Sequence, residues 1–236
     1  MSAGNIACIF KREFKVYFIS PIAYVVIAIF LVLSGWFFFS TFFLYNQAQL
    51  RDFFSLLPII LAFIVPTVTM RLFSEEFSVG SYEVLVTLPV TSREIIAGKF
   101  LAATAFVAIM MAPTLSYAIT TASMGDLDWG PVAGGYIGSI FLGGAFGAIG
   151  IFASSLTRNQ IIAFIVGMVI CVALTLIDKL LFFLPESLLG FLQYMGADYH
   201  FQNIARGILD SRDILYFASL IFIALYGAHL VVEGKK

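Results

Sequence analysis

Long apolar runs separated by short polar stretches dominate this chain. A transmembrane helix needs about 20 mostly apolar residues, and several runs reach that length. We place the spans at residues 22–44, 53–72, 100–122, 131–153, 161–184 and 213–232. Barrel strands would be short and would alternate apolar with polar positions, whereas these runs are continuous. The pattern therefore predicts an all-α polytopic membrane protein with six spans, in which residues 1–236 form one transmembrane domain.

Two amphipathic segments accompany the spans. Residues 5–18 carry apolar side chains at helical spacing, with cations on the other face. The apolar face holds Ile6, Phe10, Phe14, Tyr17 and Phe18. The cations are Lys11, Arg12 and Lys15. This is typical of a helix lying in the membrane interface, although a charged stub that only sets topology is an alternative. Residues 185–212 are too broken to cross a bilayer and predict short helices on the outer face.

The distribution of Lys and Arg predicts the orientation, since cytoplasmic loops carry the excess of these residues. With the N-terminus in the cytoplasm, nine basic residues lie on the cytoplasmic side and four on the other. We therefore expect both termini and the loop 73–99 in the cytoplasm, and residues 185–212 outside.

Composition narrows the function. The chain is 61% hydrophobic and 11% charged, against about 25% charged residues in ordinary soluble domains. A net charge of −1 argues against nucleic acid as a partner. His200 and His229 are expected on opposite sides, so we predict no metal site. We find neither a GxSxG nucleophile motif nor a GxxxxGK[ST] phosphate loop, and we predict no catalytic residue and no bound cofactor.

The loop 73–99 stands out because charges are scarce elsewhere. It holds six of the chain's 27 charged residues. These are Glu75, Glu76, Glu83, Arg93, Glu94 and Lys99. The concentration indicates a surface that docks a soluble partner. Alternatively, each acid only caps a helix and keeps the loop in water.

Local signals predict how this loop folds. Ser74 is a candidate cap for a helix with Glu75 and Glu76 in its first turn. Gly80 is expected to end that helix in a left-handed turn, and Pro89 to stop the apolar piece that follows. Thr91 with Glu94 three residues later predicts a capping box, from which the next helix runs into the third span.

The fourth span is rich in glycine. Gly134, Gly138, Gly143 and Gly147 form pairs four residues apart, a spacing that allows close helix approach. Packing inside one subunit and a seam between two subunits are both compatible with this pattern.

Two segments resemble a known family. Residues 71–100, RLFSEEFSVGSYEVLVTLPVTSREIIAGKF, resemble the first cytoplasmic loop of type-2 ABC exporter permeases, more narrowly the gliding-motility and nitrous-oxide-reductase-maturation group. The matching positions are Glu75, Glu76, Gly80, Ser81, Glu83, Leu88, Pro89, Val90, Gly98 and Lys99, with serine at 81 where threonine is usual. Residues 199–217, YHFQNIARGILDSRDILYF, resemble the segment before the last span of the same group.

The resemblance implies a multi-pass permease subunit in a bacterial inner membrane. It implies a cytoplasmic ABC ATPase dimer that binds ATP and Mg²⁺, a second permease subunit, identical or related, and surrounding membrane lipid. The residues implied in ATPase coupling are Glu75, Glu76, Gly80, Glu83 and Pro89. An extracytoplasmic subunit would meet the segment with His200, Arg206 and Asp210.

Simpler roles are open for the outer residues. Arg206 and Asp210 are four apart and would pair if they share a helix. His200 is expected to be a packed or hydrogen-bonded surface histidine. The function also has an alternative: a membrane anchor that transmits force to an outer partner and translocates nothing. Spans without central ionisable residues fit both functions.

Overall fold

The structure is a computed structural model that describes residues 2–45, 49–87, 89–180, 193–208 and 210–235. Across these ranges the chain forms helices and no strand. They are α1 Ala3–Ile19, α2 Pro21–Tyr45, α3 Arg51–Thr69, α4 Arg71–Val79, α5 Ser81–Thr87, α6 Ser92–Met111, α7 Leu115–Met124, α8 Trp129–Leu156, α9 Gln160–Leu180, α10 Ala197–Ala205 and α11 Ser211–Glu233. A short 3-10 turn, Ala112–Thr114, joins α6 to α7.

Six helical stretches within the described ranges are long and apolar enough to cross a membrane. They are Pro21–Ser40, Arg51–Val79, Ser92–Met124, Trp129–Leu156, Gln160–Lys179 and Ser211–Glu233. This confirms the predicted all-α polytopic fold. Residues 181–184 of the predicted fifth span, and residues 185–192 and 209 of the predicted outer segment, lie outside the described ranges.

Helix α8 lies at the centre, packed against α3, α6, α9, α10 and α11. Its glycines let these neighbours approach closely. A Cβ on Gly150 would overlap the Thr69 hydroxyl of α3, and one on Gly135 would overlap the ring of Phe54. Because α3 contacts the backbone of α8 directly at these two glycines, a larger residue at either position would push α3 away.

The four glycines singled out in the sequence also face this chain's own residues. Gly134 lies against the carbonyl of Ile204, and Gly138 against the side chains of Phe201 and Ile204. Gly143 faces Val107, and a Cβ on Gly147 would lie 3.7 Å from Ala103 Cβ. The space at these glycines is therefore filled within one subunit.

Proline breaks the third span where the sequence has Pro113. The helix tightens into the 3-10 turn Ala112–Thr114, and the Thr114 hydroxyl donates to the Met111 carbonyl at 2.7 Å. The same hydroxyl lies 3.1 Å from the Tyr136 hydroxyl of α8. Polar side chains thus form hydrogen bonds around the proline break, which lies between apolar helices.

Three of the long helices lie at the periphery of the molecule, in two groups. Helices α2 and α9 both pack on α3, whereas α11 packs on α8 and α6. Their outward faces are apolar, as the exposed Trp36 of α2, Val169 of α9 and Phe222 of α11 illustrate. We call the end of the molecule that carries α5 the elbow end, and the end that carries α10 the opposite end.

Candidate functional site

Two short helices form an elbow at one end of the molecule. Helix α4 ends at Gly80, whose φ of 76° and ψ of 5° are left-handed, and α5 follows directly. A Cβ at Gly80 would meet nothing within 4 Å. Its left-handed backbone, rather than crowding, therefore favours glycine here. The predicted left-handed stop is confirmed. Pro89 is exposed just beyond α5, and Leu88 lies outside the described residues.

The predicted cap at Ser74 is wrong. Met70 has helical dihedrals, φ −53° and ψ −33°, and α4 begins at Arg71, so α3 runs into α4. Ser74 is buried inside this helix, where its hydroxyl donates to the Met70 carbonyl one turn back. No glycine or proline lies between Pro66 and Gly80 to end the helix earlier. Glu75 and Glu76 therefore lie within α4 and not in its first turn.

A serine of α8 is inserted at the junction of α3 and α4. Ser154 Oγ accepts from the backbone N–H groups of Phe73 and Ser74, each at 3.0 Å. It donates to the Met70 carbonyl at 2.6 Å. A hydroxyl inserted into the backbone ladder is a known cause of local bending. The junction is therefore tied to the central helix.

Glu76 is directed into the molecule. Its Oε1 lies 2.8 Å from Lys99 Nζ of α6 and 3.1 Å from Arg12 Nη2 of α1. The Glu76 side chain is 17% exposed, whereas Glu75 and Glu83 are exposed. Of the three predicted coupling acids, two therefore face outward and the third joins an internal network.

Lys99 is the centre of that network. It is 1% exposed. Its ammonium lies 3.1 Å from Glu13 Oε1, donates to the Leu72 carbonyl at 2.7 Å, and sits 5.0 Å from the centre of the Phe73 ring. We call Arg12, Glu13, Glu76 and Lys99 the buried charge cluster; Arg12 lies at its edge, with 46% of its side chain exposed. It joins α1, α4 and α6.

The cluster is neutral in sum, and its pairing offsets the cost of burying charges. Burial acts to raise the pKa of Glu13, but the positive charges of Lys99 and Arg12 outweigh it, so the pKa of Glu13 is lowered. Glu13 therefore carries its negative charge at neutral pH. Arg12 also contacts Glu13 directly. Two cations and two carboxylates thus share one site.

The start of α6 is held to the start of α1. Thr91 Oγ1 accepts from the Glu94 N–H at 3.3 Å, and Glu94 Oε2 accepts from the Thr91 N–H at 3.0 Å. The predicted capping box is confirmed. The same carboxylate accepts from Asn5 Nδ2 at 3.2 Å and from the Ser2 N–H. Glu94 therefore ties the two helix ends together besides capping α6.

The outer surface of the elbow is partly apolar. Val79 is 75% exposed and Val84 is 67% exposed. Together with the exposed Glu75 and Glu83 they form what we call the elbow face. Behind it, Lys235 Nζ lies 4.3 Å from the centre of the Phe77 ring, and its ammonium donates to the Ser155 carbonyl at 2.6 Å. The elbow therefore contacts the exposed Lys235 on one side, and its elbow face is open on the other.

The opposite end holds a smaller polar site. His200 Nδ1 lies 2.6 Å from Asp213 Oδ1, and His200 Nε2 lies 3.0 Å from the Tyr194 carbonyl. The imidazole stacks on Tyr216 with ring centres 4.0 Å apart. His200 is packed and hydrogen-bonded as expected, but it is 3% exposed and so is not on the surface.

Arg206 and Asp210 do not pair on one helix. Arg206 follows the end of α10, and Gly207 then takes a φ of 86° that turns the chain. Asp210 instead caps α11 by accepting from the Arg212 N–H at 3.0 Å. The break between α10 and α11 separates the two side chains, which the sequence spacing alone did not reveal.

Sequence reasoning missed Ser154 and most of the buried charge cluster. Glu13 and Lys99 are 86 residues apart, so no local spacing connects them. One signal was available. Glu13 lies four residues from both Ile9 and Tyr17, and all three side chains are buried on one row of α1. An acid on an apolar row indicates a buried partner of opposite charge.

The fold defines a polytopic helical membrane protein with an exposed helical elbow at one end. The family described as ABC-2 family transporter protein matches residues 39–208, and the chain belongs to it. It is therefore the membrane permease subunit of an ABC transporter. Permeases of this family are generally non-catalytic and associate with an ABC ATPase, typically with a second permease. No curated protein matches the chain with significant similarity.

Proposed function

We propose that this permease couples ATP hydrolysis on a separate cytoplasmic ATPase dimer to export or movement of a substrate. The observation that carries the proposal is the elbow itself. It leaves Val79 and Val84 exposed, while Glu76 of the same unit is bound to Lys99 and Arg12 of two other helices. A displacement of the elbow face would therefore reach α1 and α6 as well as α3.

The proposed mechanism is mechanical. ATP and Mg²⁺ bind to the ATPases, their closure moves the elbow, and α3 and α6 tilt. The proline-containing parts of these helices are where bending is cheapest, at Pro58 and Pro66 in α3 and at Pro113 after α6. The chain itself performs no chemistry in this mechanism.

The test is a crosslink from the elbow face. In a background with Cys8→Ser and Cys171→Ala, a cysteine is placed at Val79 or Val84, and the complex is treated with a short bifunctional reagent. We expect an adduct with an ATPase, identified by mass spectrometry. The control is Ser123→Cys, at an exposed position of the opposite end, which should give no such adduct. An elbow that crosslinks only to lipid or to unrelated proteins would contradict the proposal.

Charge reversal gives a functional reading of the same surface. Glu75→Lys and Glu83→Lys alter exposed acids and leave the buried charge cluster intact. We expect substrate-dependent or permease-dependent ATPase activity to fall while the complex still co-purifies. Unchanged ATPase activity in an intact complex would show that the acids of the elbow face only solvate the loop.

The remaining expectations belong to this proposal. Both termini and the elbow face the cytoplasm of a bacterial inner membrane. A second permease subunit, identical or related, completes the transporter. The motif around Glu76, Gly80 and Pro89 supports membership of the gliding-motility and nitrous-oxide-reductase-maturation group. A single-cysteine accessibility profile from intact cells tests the orientation, because Val84→Cys must be protected and Ser123→Cys labelled.

One feature favours a second candidate function, a force-transmitting anchor that translocates nothing. A cavity of about 630 Å³ opens at the opposite end between the starts of α3 and α8 and the end of α10. Arg51, Asp126, Asp128 and Arg206 are among the residues that line it. A charged concave surface there suits an extracytoplasmic protein. A stoichiometric outer protein that is lost on Arg206→Glu, without any transported substrate, would favour the anchor over transport.

A further inference from the structure

A groove runs along the side of the molecule between α6 and α11, away from α2 and α9. Its volume is about 700 Å³. The walls are apolar or aromatic, from Ile96 and Phe100 of α6, Phe141 of α8, and Ile221 and Leu225 of α11. Both wall helices are among the candidate membrane spans. The groove therefore opens onto the region that lipid occupies.

The groove has one polar end. Arg93 and His229 close it at the elbow end, where the Arg93 guanidinium Nε donates to His229 Nε2 at 3.4 Å. Arg93 is exposed. His229 Nδ1 is buried and has no hydrogen-bond partner. Glu233 of α11 also faces this end: its Oε2 lies 3.2 Å from the same His229 Nε2, so that nitrogen either accepts from Arg93 or donates to Glu233, and the Glu233 side chain is 60% exposed.

The length of the groove matches one leaflet. Its α11 wall extends from Ala218 to His229, which at about 1.5 Å per residue is about 17 Å. Half of a hydrocarbon core of about 30 Å is about 15 Å. Phe222 and Tyr226 stack along this wall with ring centres 6.0 Å apart and form an exposed aromatic edge.

From these observations we propose that the groove binds an anionic glycerophospholipid of the leaflet next to the elbow. An acyl chain lies between α6 and α11, and the phosphate group meets the Arg93 guanidinium. An apolar slot of leaflet length, with the Arg93 guanidinium among its lining residues at the interfacial end, is complementary to this ligand. The Glu233 carboxylate lies at the same end but is not among the lining residues. The proposal goes beyond ATPase coupling and stands without it; only the assignment to the cytoplasmic leaflet rests on the proposed orientation.

The test uses tryptophan fluorescence quenched by lipids with brominated acyl chains. The chain has two tryptophans, Trp36 and Trp129, both outside the groove. The groove reporter is the full-length variant Trp36→Phe, Trp129→Phe, Phe222→Trp. The control reporter is Trp129→Phe alone, because Trp36 is 74% exposed on α2. Each is reconstituted into nanodiscs that contain brominated phosphatidylglycerol or brominated phosphatidylcholine against an unbrominated background.

We expect brominated phosphatidylglycerol to quench the groove reporter to the same extent at about one fifth of the mole fraction that brominated phosphatidylcholine requires. A ratio of about fivefold is the effect of one basic side chain near an anionic surface. Trp36 should show no preference. Arg93→Gln should abolish the preference, and Arg93→Lys should retain most of it because the charge remains. Both changes lie at an exposed position, so the fold is expected to tolerate them.

Three results would overturn the proposal. The first is equal quenching of the groove reporter by both lipids. The second is a preference for phosphatidylglycerol that survives Arg93→Gln. The third is a groove reporter that neither lipid quenches, together with a disulfide-linked dimer through Phe222→Cys, which would show that a second copy of the chain fills the groove.

Discussion

The two polar sites at the ends of this permease use similar chemistry over different distances in the chain. In the buried charge cluster, Arg12 and Glu76 are 64 residues apart, and Glu13 and Lys99 are 86 residues apart. The pair of His200 and Asp213 spans 13 residues. The first ties together helices that are far apart in the chain, whereas the second joins the consecutive helices α10 and α11 across the turn between them. We infer that displacement of the elbow is transmitted at the first site and not at the second.

The largest expected effect comes from Lys99→Met. It leaves Glu13 and Glu76 buried together without the cation between them, and breaking a buried charge pair costs about 3–5 kcal/mol. We expect a marked fall in the midpoint of thermal unfolding in detergent. Lys15→Met makes the same change at an exposed position of α1 and should have no effect. Adding Glu13→Gln and Glu76→Gln to Lys99→Met should restore part of the loss. Equal midpoints for the two single variants would refute the central role of Lys99.

Asp213→Asn tests the opposite end and should have a smaller effect. The amide keeps the shape of the carboxylate but removes the charge that faces His200, so we expect a loss of about 1–3 kcal/mol. ATPase activity of the assembled complex should remain close to wild type. Glu76→Gln, in contrast, should lower that activity. Asp126→Asn, at an exposed connection, is the control for stability. If Asp213→Asn uncouples the ATPase as strongly as Glu76→Gln, the contrast between the two ends fails.

Ser154→Ala sharpens the comparison from the side of the central helix. It removes the hydroxyl that accepts from Phe73 and Ser74, and we expect a loss of about 1 kcal/mol because the helix can re-form part of its own ladder. Ser155→Ala is a matched control one residue away, since Ser155 Oγ donates only to the Phe152 carbonyl at 2.7 Å. Unfolding midpoints of both variants measure the difference. Identical midpoints would mean that the inserted hydroxyl does not hold the junction.

The smallest effect is a dependence on pH. The pKa of Glu13 is lowered in the folded protein, so its contribution to stability is fully present above the unfolded pKa of about 4.3. It is lost as pH falls through the lower, folded pKa. The gap in unfolding midpoint between wild type and Glu13→Gln should thus be constant from about pH 8 to about pH 5 and shrink below about pH 4. A gap that already closes between pH 7 and pH 5 would contradict a Glu13 stabilised by Lys99.

Local signals predicted much of the fold and part of the site. The six spans follow from apolar run length, and the left-handed Gly80 and the capping box of Thr91 and Glu94 follow from residues at most three positions apart. The interactions that connect distant segments had no such signal. Whether Glu76 faces a partner or Lys99 depends on how α1, α4 and α6 meet, and Ser154 gains its role only because α8 passes the end of α3.

The Ser74 cap shows a second reason for error. Polar residues such as Ser74, Glu75 and Glu76 favour helix starts in isolation. Here α3 continues into α4, so the residues before Ser74 are already helical and no new helix begins there. The absence of glycine and proline between Pro66 and Gly80 is a better guide to the helix boundary than the presence of a capping residue.

The continuous helix formed by α3 and α4 is long compared with the thickness of a bilayer. The stretch Arg51–Val79 has 29 residues, which makes a rod of about 44 Å at about 1.5 Å per residue. That is longer than a hydrocarbon core of about 30 Å, so the rod extends beyond the bilayer. Pivoted at its middle, a rod of about 44 Å that rocks by about 10° carries its tips through about 4 Å in opposite directions. If α3 and α4 moved as one straight body, a shift at Val79 would be matched by a reversed shift at Arg51, beside the cavity at the far surface. Bending at Pro58 and Pro66 would make the shift at Arg51 smaller.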